Sequence, residues 1–247
     1  MLETAFLELY KMIKDYTREF TITNNYLDTY DNLKPSAILD LSQEIAGSHA
    51  KLLDVGFNEF IARGLIWVIV RNKVEIVKNI RQLENVKIRS MLTKARLIEL
   101  PRDYEFYANN ELFIKERSVW MIFDLNTKKV VLPNEFETLK TDYEGIFPRV
   151  KKLTELKKEE LEFNKDFIVP FSYLDHNGHM NNTHYLDLFL DVYKPKKEEV
   201  LKSFQVEYIS QCYLDEKISL YTLVKNNTKY LYGYNGEELK FYLEANY

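Results

Sequence analysis

Two stretches set 132 residues apart (206 minus 74), Val74-Glu-Ile-Val-Lys-Asn-Ile80 and Val206-Glu-Tyr-Ile-Ser-Gln-Cys212, carry matching apolar and polar positions. Each is followed by an acidic turn and a further strand-like segment reaching Lys-Ile. Alternation at period two is the mark of a half-buried strand, and recurrence at a fixed offset implies two copies of one structural unit. The flanking elements agree. In residues 34–53, Ile38, Leu41, Ile45, His49 and Leu52 recur at spacings of three and four, a helical stripe with Pro35 in its first turn. After Gly64 the texture becomes β-branched, and Leu65–Val77, Val86–Leu97, Tyr104–Ala108, Leu112–Phe123 and Lys129–Leu132 read as strands, with turns at Asn109-Asn110 and Asp124–Thr127. The second half repeats this plan: a strand over Asp166–Tyr173, a helix over Asn182–Tyr193 with Tyr185, Leu188, Phe189 and Val192 on one face, and strands again from Phe204. The expected fold is α+β, with two tandem repeats of a helix packed on an antiparallel sheet, in residues 1–135 and 163–247. Residues 136–162 are the expected connector. Its charge run Lys151–Glu160 predicts a solvated segment with a helical turn, the alternative being a basic docking surface for an acidic partner.

Composition narrows the chemistry. Eighteen Tyr and fifteen Phe favour extensive sheet. The seven glycines form no G-x-G-x-x-G, no phosphate-binding loop and no G-x-S-x-G elbow, so nucleotide folds and serine hydrolases lack their signals. A single Cys excludes a disulfide framework and a cysteine metal cage. A net charge of −4 gives no field for nucleic acid. The apolar run Leu65–Val70 is far below the roughly 18 residues that span a bilayer, and Met1–Lys11 has no positively charged leader. A soluble protein of a reducing, cytoplasmic compartment is expected.

The densest polar cluster is Asp175-His-Asn-Gly-His-Met-Asn-Asn-Thr-His184, between a predicted strand and a predicted helix. Helix starts carry unpaired N–H groups able to stabilise an oxyanion. If the stretch is extended, Asp175, Asn177 and His179 share one face and offer a carboxylate, an amide donor and an imidazole to one carbonyl. Taken singly, each has a plainer role: Asp175 in an Asx turn, Asn177-Gly178 as a turn dipeptide, Asn181 or Asn182 as a helix cap. His176, His179 and His184 lack the i, i+4 spacing of a zinc helix, so no metal is expected. His49 reads as a satisfied core histidine.

Asp175-x-Asn177-x-His179-x-Asn181-Asn182-x-x-Tyr185 resembles the signature of the acyl-acyl carrier protein (acyl-ACP) thioesterases, plant plastid enzymes and their bacterial relatives. Gln43-Glu44, Ser48-His49, Leu65–Arg71, Ser118-Val-Trp120 and Glu207–Asp215 resemble further landmarks of that family, in order, from about residue 17 to 220. The resemblance implies a double hotdog fold and hydrolysis of acyl-ACP to a free fatty acid. It requires no cofactor, and its partner is an acidic carrier bearing an acyl-phosphopantetheine thioester. It places the active site at Asp175, Asn177 and His179 with a Glu-Cys pair on the next strand, where this chain has Gln211 and Cys212. Gln cannot accept a proton, which moves the base role to His179, oriented by Asp175, or to Asp175 itself. Cys212 as nucleophile is the minority reading, since a strand Cys is commonly a small core residue. The first repeat has no Asp-Asn-His set and is the expected source of an acyl slot, lined from the first helix and Leu65–Val70. Lys194–Lys197 and Arg149–Lys152 are the basic segments available to a carrier, and a homodimer is left open. A non-catalytic module that binds acyl thioesters and a hotdog dehydratase are the rival readings.

Overall fold

The computed structural model describes residues 14–79 and 85–247; the leader reading on Met1–Lys11 and Ile80 of the echo lie outside them. The elements in chain order are β1 (Asp15–Thr21), α1 (Pro35–Leu52), α2 (Phe57–Ile61), β2 (Leu65–Ile76), β3 (Asn85–Leu92), β4 (Leu100–Ala108), β5 (Glu111–Asp124) and β6 (Lys129–Val131). They continue with β7 (Glu162–Ile168), α3 (His184–Tyr193), β8 (Ser203–Tyr208), β9 (Lys217–Lys225), β10 (Thr228–Asn235) and β11 (Glu238–Asn246).

The strands form one antiparallel sheet in the order β1-β3-β4-β5-β2-β8-β11-β10-β9-β7, with β6 on β5. Each of β1 to β5 thus has its counterpart six strands later, β6 has none among the described residues, and the two halves meet at β2 and β8. An antiparallel pair carries a local twofold axis. Here Lys73 pairs with Gln205, two residues that stand at the echo's own offset of 132, so this pair lies on the axis relating the repeats. Each half is a helix on a curled antiparallel sheet, and together they are the double hotdog that the pattern predicted.

The repeats differ in length. Upstream of the helices the offset is 147, as the bridges Leu27–Leu33 and Leu174–Met180 show, whereas at β2 and β8 it is 132. The second repeat has lost chain between these points: α3 has 10 residues against 18 in α1, and α2 has no counterpart among the described residues. Some boundaries differ from expectation. β7 begins at Glu162 and stops at Ile168, because Pro170 cannot donate to a ladder and Phe171–Tyr173 close a 3-10 turn. β3 ends at Leu92, where Thr93 turns its hydroxyl and N–H onto Pro101 O. Thr183, rather than Asn181 or Asn182, stands at the N-cap of α3.

The connector is not solvated throughout. Leu139, Phe147, Val150 and Leu161 are buried, and its backbone bonds to the outer face of the sheet: Leu153 N–H donates to Glu207 Oε1 at 3.0 Å and Leu156 N–H to Tyr232 Oη at 3.0 Å. The anchors flank the charge run: within 151–160 only Leu153 and Leu156 are half-buried apolar residues, the charged side chains are largely exposed, and Lys158–Glu160 forms the expected helical turn as a 3-10 turn. Beneath the connector, Arg71 donates through Nε to both Glu207 oxygens at 2.8 and 2.9 Å, bracing the β2–β8 seam.

One apolar core runs under both helices, joining Ile38, Leu41 and Ile45 of α1 to Leu186, Leu188 and Phe189 of α3. The inner face of the second repeat, with Ile218, Leu220, Leu231, Phe241 and Leu243, is apolar. The first repeat is different. A belt of buried polar groups crosses it: Glu116 accepts from Asn72 Nδ2 at 2.8 Å and from the Ser42 hydroxyl, while Arg102 donates to Ser90 Oγ at 3.0 Å beside His49 Nδ1 at 2.8 Å. His49 is therefore the satisfied core histidine expected. Past the belt lies a second apolar cluster of Leu53, Phe60, Leu65, Leu100 and Ile122.

Candidate active site

The segment Asp175–His179 is a tight turn, not the extended stretch that alternation implied. Gly178 N–H bonds to Asp175 O at 3.0 Å, Asp175 N–H to His179 O at 2.9 Å, and Gly178 holds φ of 82°. Glycine is suited to that left-handed position because it has no Cβ. The turn still gathers the three side chains. Asn177 N–H donates to Asp175 Oδ1 at 2.8 Å, Asn177 Nδ2 lies 3.3 Å from Asp175 Oδ2, and His179 Nδ1 lies 3.6 Å from Asp175 Oδ1. That last separation allows charge attraction but is too long for a direct hydrogen bond.

A second segment closes the site. Met180 N–H donates to Cys212 O at 2.8 Å, and a bridge joins His179 to Tyr213, so residues 211–213 run beside the turn. Alternate residues of an extended segment face opposite ways. Gln211 and Tyr213 face the turn: Gln211 Nε2 is 3.1 Å from His179 Nε2, and the Tyr213 hydroxyl donates to Gln211 Oε1 at 2.7 Å. Cys212 faces the core, fully buried with Tyr185 as its neighbour. Burial pushes its thiol up to about 11, leaving little thiolate near neutrality. The structure thus brings together Asp175, Asn177, His179 and Gln211 and turns Cys212 away from them.

The other histidines are engaged elsewhere. His176 meets the edge of Phe57 at 4.5 Å, which packs α2 of the first repeat against the turn of the second. His184 stacks on Tyr173 and holds Asp187 Oδ2 at 2.8 Å. Asp40, on the exposed edge of α1, is bonded to Thr183, and partial desolvation there raises its carboxyl above the ordinary range.

The first repeat contains a copy of the turn. Asp28 N–H bonds to Asn32 O at 2.8 Å, Asp31 N–H to Asp28 O at 3.1 Å, Tyr30 N–H to Asp28 Oδ1 at 2.8 Å, and Lys34 N–H to Tyr26 O at 2.9 Å. Each bond has its equivalent around Asp175, including Asn181 N–H to Tyr173 O at 2.9 Å. Asp31 occupies the left-handed position of Gly178, with φ of 62°. The expectation of no Asp-Asn-His set holds for side chains, since Tyr30 and Asn32 replace Asn177 and His179. It fails for the scaffold, which is intact and keeps its Asp. Tyr213, Phe57 and this second turn were not anticipated. The turn's sequence signal is Tyr26-Leu-Asp28 against Tyr173-Leu-Asp175 at the upstream offset, and Tyr213 and Phe57 have none.

Fused helix-on-sheet units whose strands join in one antiparallel sheet are a double hotdog. The acyl-ACP thioesterase N-terminal domain matches residues 13–137 and the C-terminal domain residues 156–238, and the chain belongs to the acyl-ACP thioesterase family. Among solved structures, an acyl-ACP thioesterase from Bacteroides thetaiotaomicron superposes with a TM-score of 0.85 at 18% identity, over 96% of this chain and 98% of that one. The 12:0-ACP thioesterase from Umbellularia californica gives 0.81 at 18% identity, over 94% and 96%. At these identities the likeness is one of fold. No curated protein matches the chain in sequence.

Proposed function

We propose that this chain hydrolyses acyl-ACP thioesters to free fatty acids through a water activated by His179. The observation that carries the assignment of the base is the doubled turn. Asp28 and Asp175 make the same backbone bond in both copies, so a carboxylate at this position is accounted for by turn formation, and the chemistry lies in what differs, Asn177 and His179. An incoming water takes the acceptor position at His179 Nε2 and the Gln211 N–H turns to its oxygen. As the water attacks the thioester carbon, its proton passes to Nε2, and the imidazolium faces the Asp175 carboxylate. The Asn177 amide donates to the carbonyl oxygen as it becomes an oxyanion. On collapse the C–S bond breaks and the pantetheine thiolate takes the proton from His179, releasing the acid and the free thiol.

The acyl chain would lie in the first repeat, over α1 and the Leu65–Val70 segment, and the carrier would meet a local basic segment such as Lys194–Lys197. The deciding experiment is a panel of acyl-ACPs of graded length, with matching acyl-coenzyme A, assayed for free thiol with wild type and His179→Ala. Silence across the panel, or equal rates for the two proteins, ends the reading. Gln211 is the observation favouring a non-catalytic binding module. For that rival, Gln211→Glu would create substantial hydrolysis from a near-zero start; for an enzyme it changes an existing rate only modestly, because the new carboxylate can accept the water's proton in place of His179 Nε2.

A further inference from the structure

A glutamine is a two-faced neighbour for histidine: its nitrogen only donates, its oxygen only accepts, and the end presented decides which ring nitrogen holds the proton. Here the Tyr213 hydroxyl donates to Gln211 Oε1 at 2.7 Å, which leaves Gln211 Nε2 facing His179 Nε2 at 3.1 Å. The accepting Nε2 is then unprotonated, and the proton of the neutral ring sits on Nδ1, toward Asp175 Oδ1 at 3.6 Å. The arrangement is built into the backbone. The His179–Tyr213 bridge fixes the phenol edge-on to the imidazole, with ring centroids 6.4 Å apart at 83°, and alternation along the extended segment points residues 211 and 213 the same way.

We infer that Tyr213 is a positioning residue whose hydroxyl orients the Gln211 amide and so holds His179 as the Nδ1–H tautomer, with Nε2 as its basic nitrogen. A carboxylate at position 211 would need no such help: its two oxygens are equivalent, both accept, and either would favour a proton on Nε2. Gln211 and Tyr213 together therefore replace a Glu by setting the imidazole the other way round. The kinetic consequence rests on the hydrolase reading above; the tautomer does not.

The test reads the free protein first. Long-range proton–nitrogen spectra of ring-labelled histidine, with the His179 signals assigned by their loss in His179→Ala, should show Nδ1–H in wild type. Tyr213→Phe should move the ring toward Nε2–H or a mixture of tautomers, and Gln211→Glu should give Nε2–H. A wild-type Nε2–H ring, or a Tyr213→Phe spectrum identical to wild type, overturns the proposal. Kinetics then close a cycle. Tyr213→Phe should lower kcat about tenfold or more with little change in KM when residue 211 is Gln, and have little effect when it is Glu. Equal losses in both backgrounds would mean that the ring is merely structural, and overturn it. Absence of turnover in every protein would sink the hydrolase reading and leave the spectra to decide this one.

Discussion

Glu116 is buried in the first repeat with only Ser42 and Asn72 as hydrogen-bond partners among the described residues, and burial raises its carboxyl to about 8. In the unfolded chain the same group titrates near its ordinary value of 4.5. Between these two values the folded protein holds one proton more than the unfolded chain, so stability falls as pH rises. It is unpenalised below about 4.5, declines by about 1.4 kcal/mol per pH unit, and levels off above about 8. At pH 7 the cost is on the order of 3 kcal/mol, and beyond the upper value about 5 kcal/mol. Glu116→Gln keeps the shape, still accepts from Asn72, can donate to Ser42 and has no proton to lose. The variant should match wild type near pH 4.5 and exceed it increasingly with pH, by ~3 kcal/mol at neutrality, or roughly 6–12 °C in Tm. Urea unfolding of both proteins at pH 5, 7 and 8.5 measures the divergence, and every group they share cancels in the difference. Stability curves that run parallel across that range would refute the reasoning, because they would mean that Glu116 is ionised in the folded core or already satisfied there.

Four further expectations concern the site and its carrier. His179→Ala should reduce kcat/KM by about 10²–10⁴ with an unchanged fold by circular dichroism, and Asn177→Ala should lower kcat more than it raises KM. Cys212→Ala should retain activity within about threefold while losing about 1 kcal/mol of stability, and the native thiol should resist alkylation; complete inactivation would restore the nucleophile reading. Reversing Lys196 and Lys197 to Glu should raise KM for acyl-ACP and remove its dependence on ionic strength while leaving kcat unchanged, and an unaltered salt profile would place the carrier elsewhere.

The double fold was legible because its evidence is periodic: helical spacing from Ile38 to Leu52 and alternation in the two echo strands are direct imprints of burial. Gln211, Cys212 and the Asp-Asn-His residues were legible because their types are chemically distinctive. What escaped notice has a physical cause in each case. The turn around Asp175 was read as extended because its closure depends on backbone bonds and on the φ of Gly178, which side-chain alternation does not encode. Gln211 and Cys212 lie beyond the end of β8 at Tyr208, not on a strand as the motif implied, and their opposed directions follow from the extended backbone there, which a motif that names them as a pair hides. The second turn escaped because Tyr-Leu-Asp occurs four times, at 26–28, 173–175, 185–187 and 213–215, and only the register of the folded chain selects the matching two. In the connector the charge run 151–160 is the solvated segment with a turn that its composition predicts, while the buried anchors on either side of it, Leu139, Phe147, Val150 and Leu161, are too widely spaced to show as a periodic pattern.

The paired turns make the molecule its own blank scaffold. Three substitutions, Tyr30→Asn, Asp31→Gly and Asn32→His, would write the reactive triplet onto a backbone that already holds the required bonds. The written copy would still lack α2, whose Phe57 packs on the turn in one direction only. A redesign for two working ends therefore has to graft that short helix as well as the three side chains, because the substituted turn and the shorter second repeat both stand between this duplicated chain and a second site.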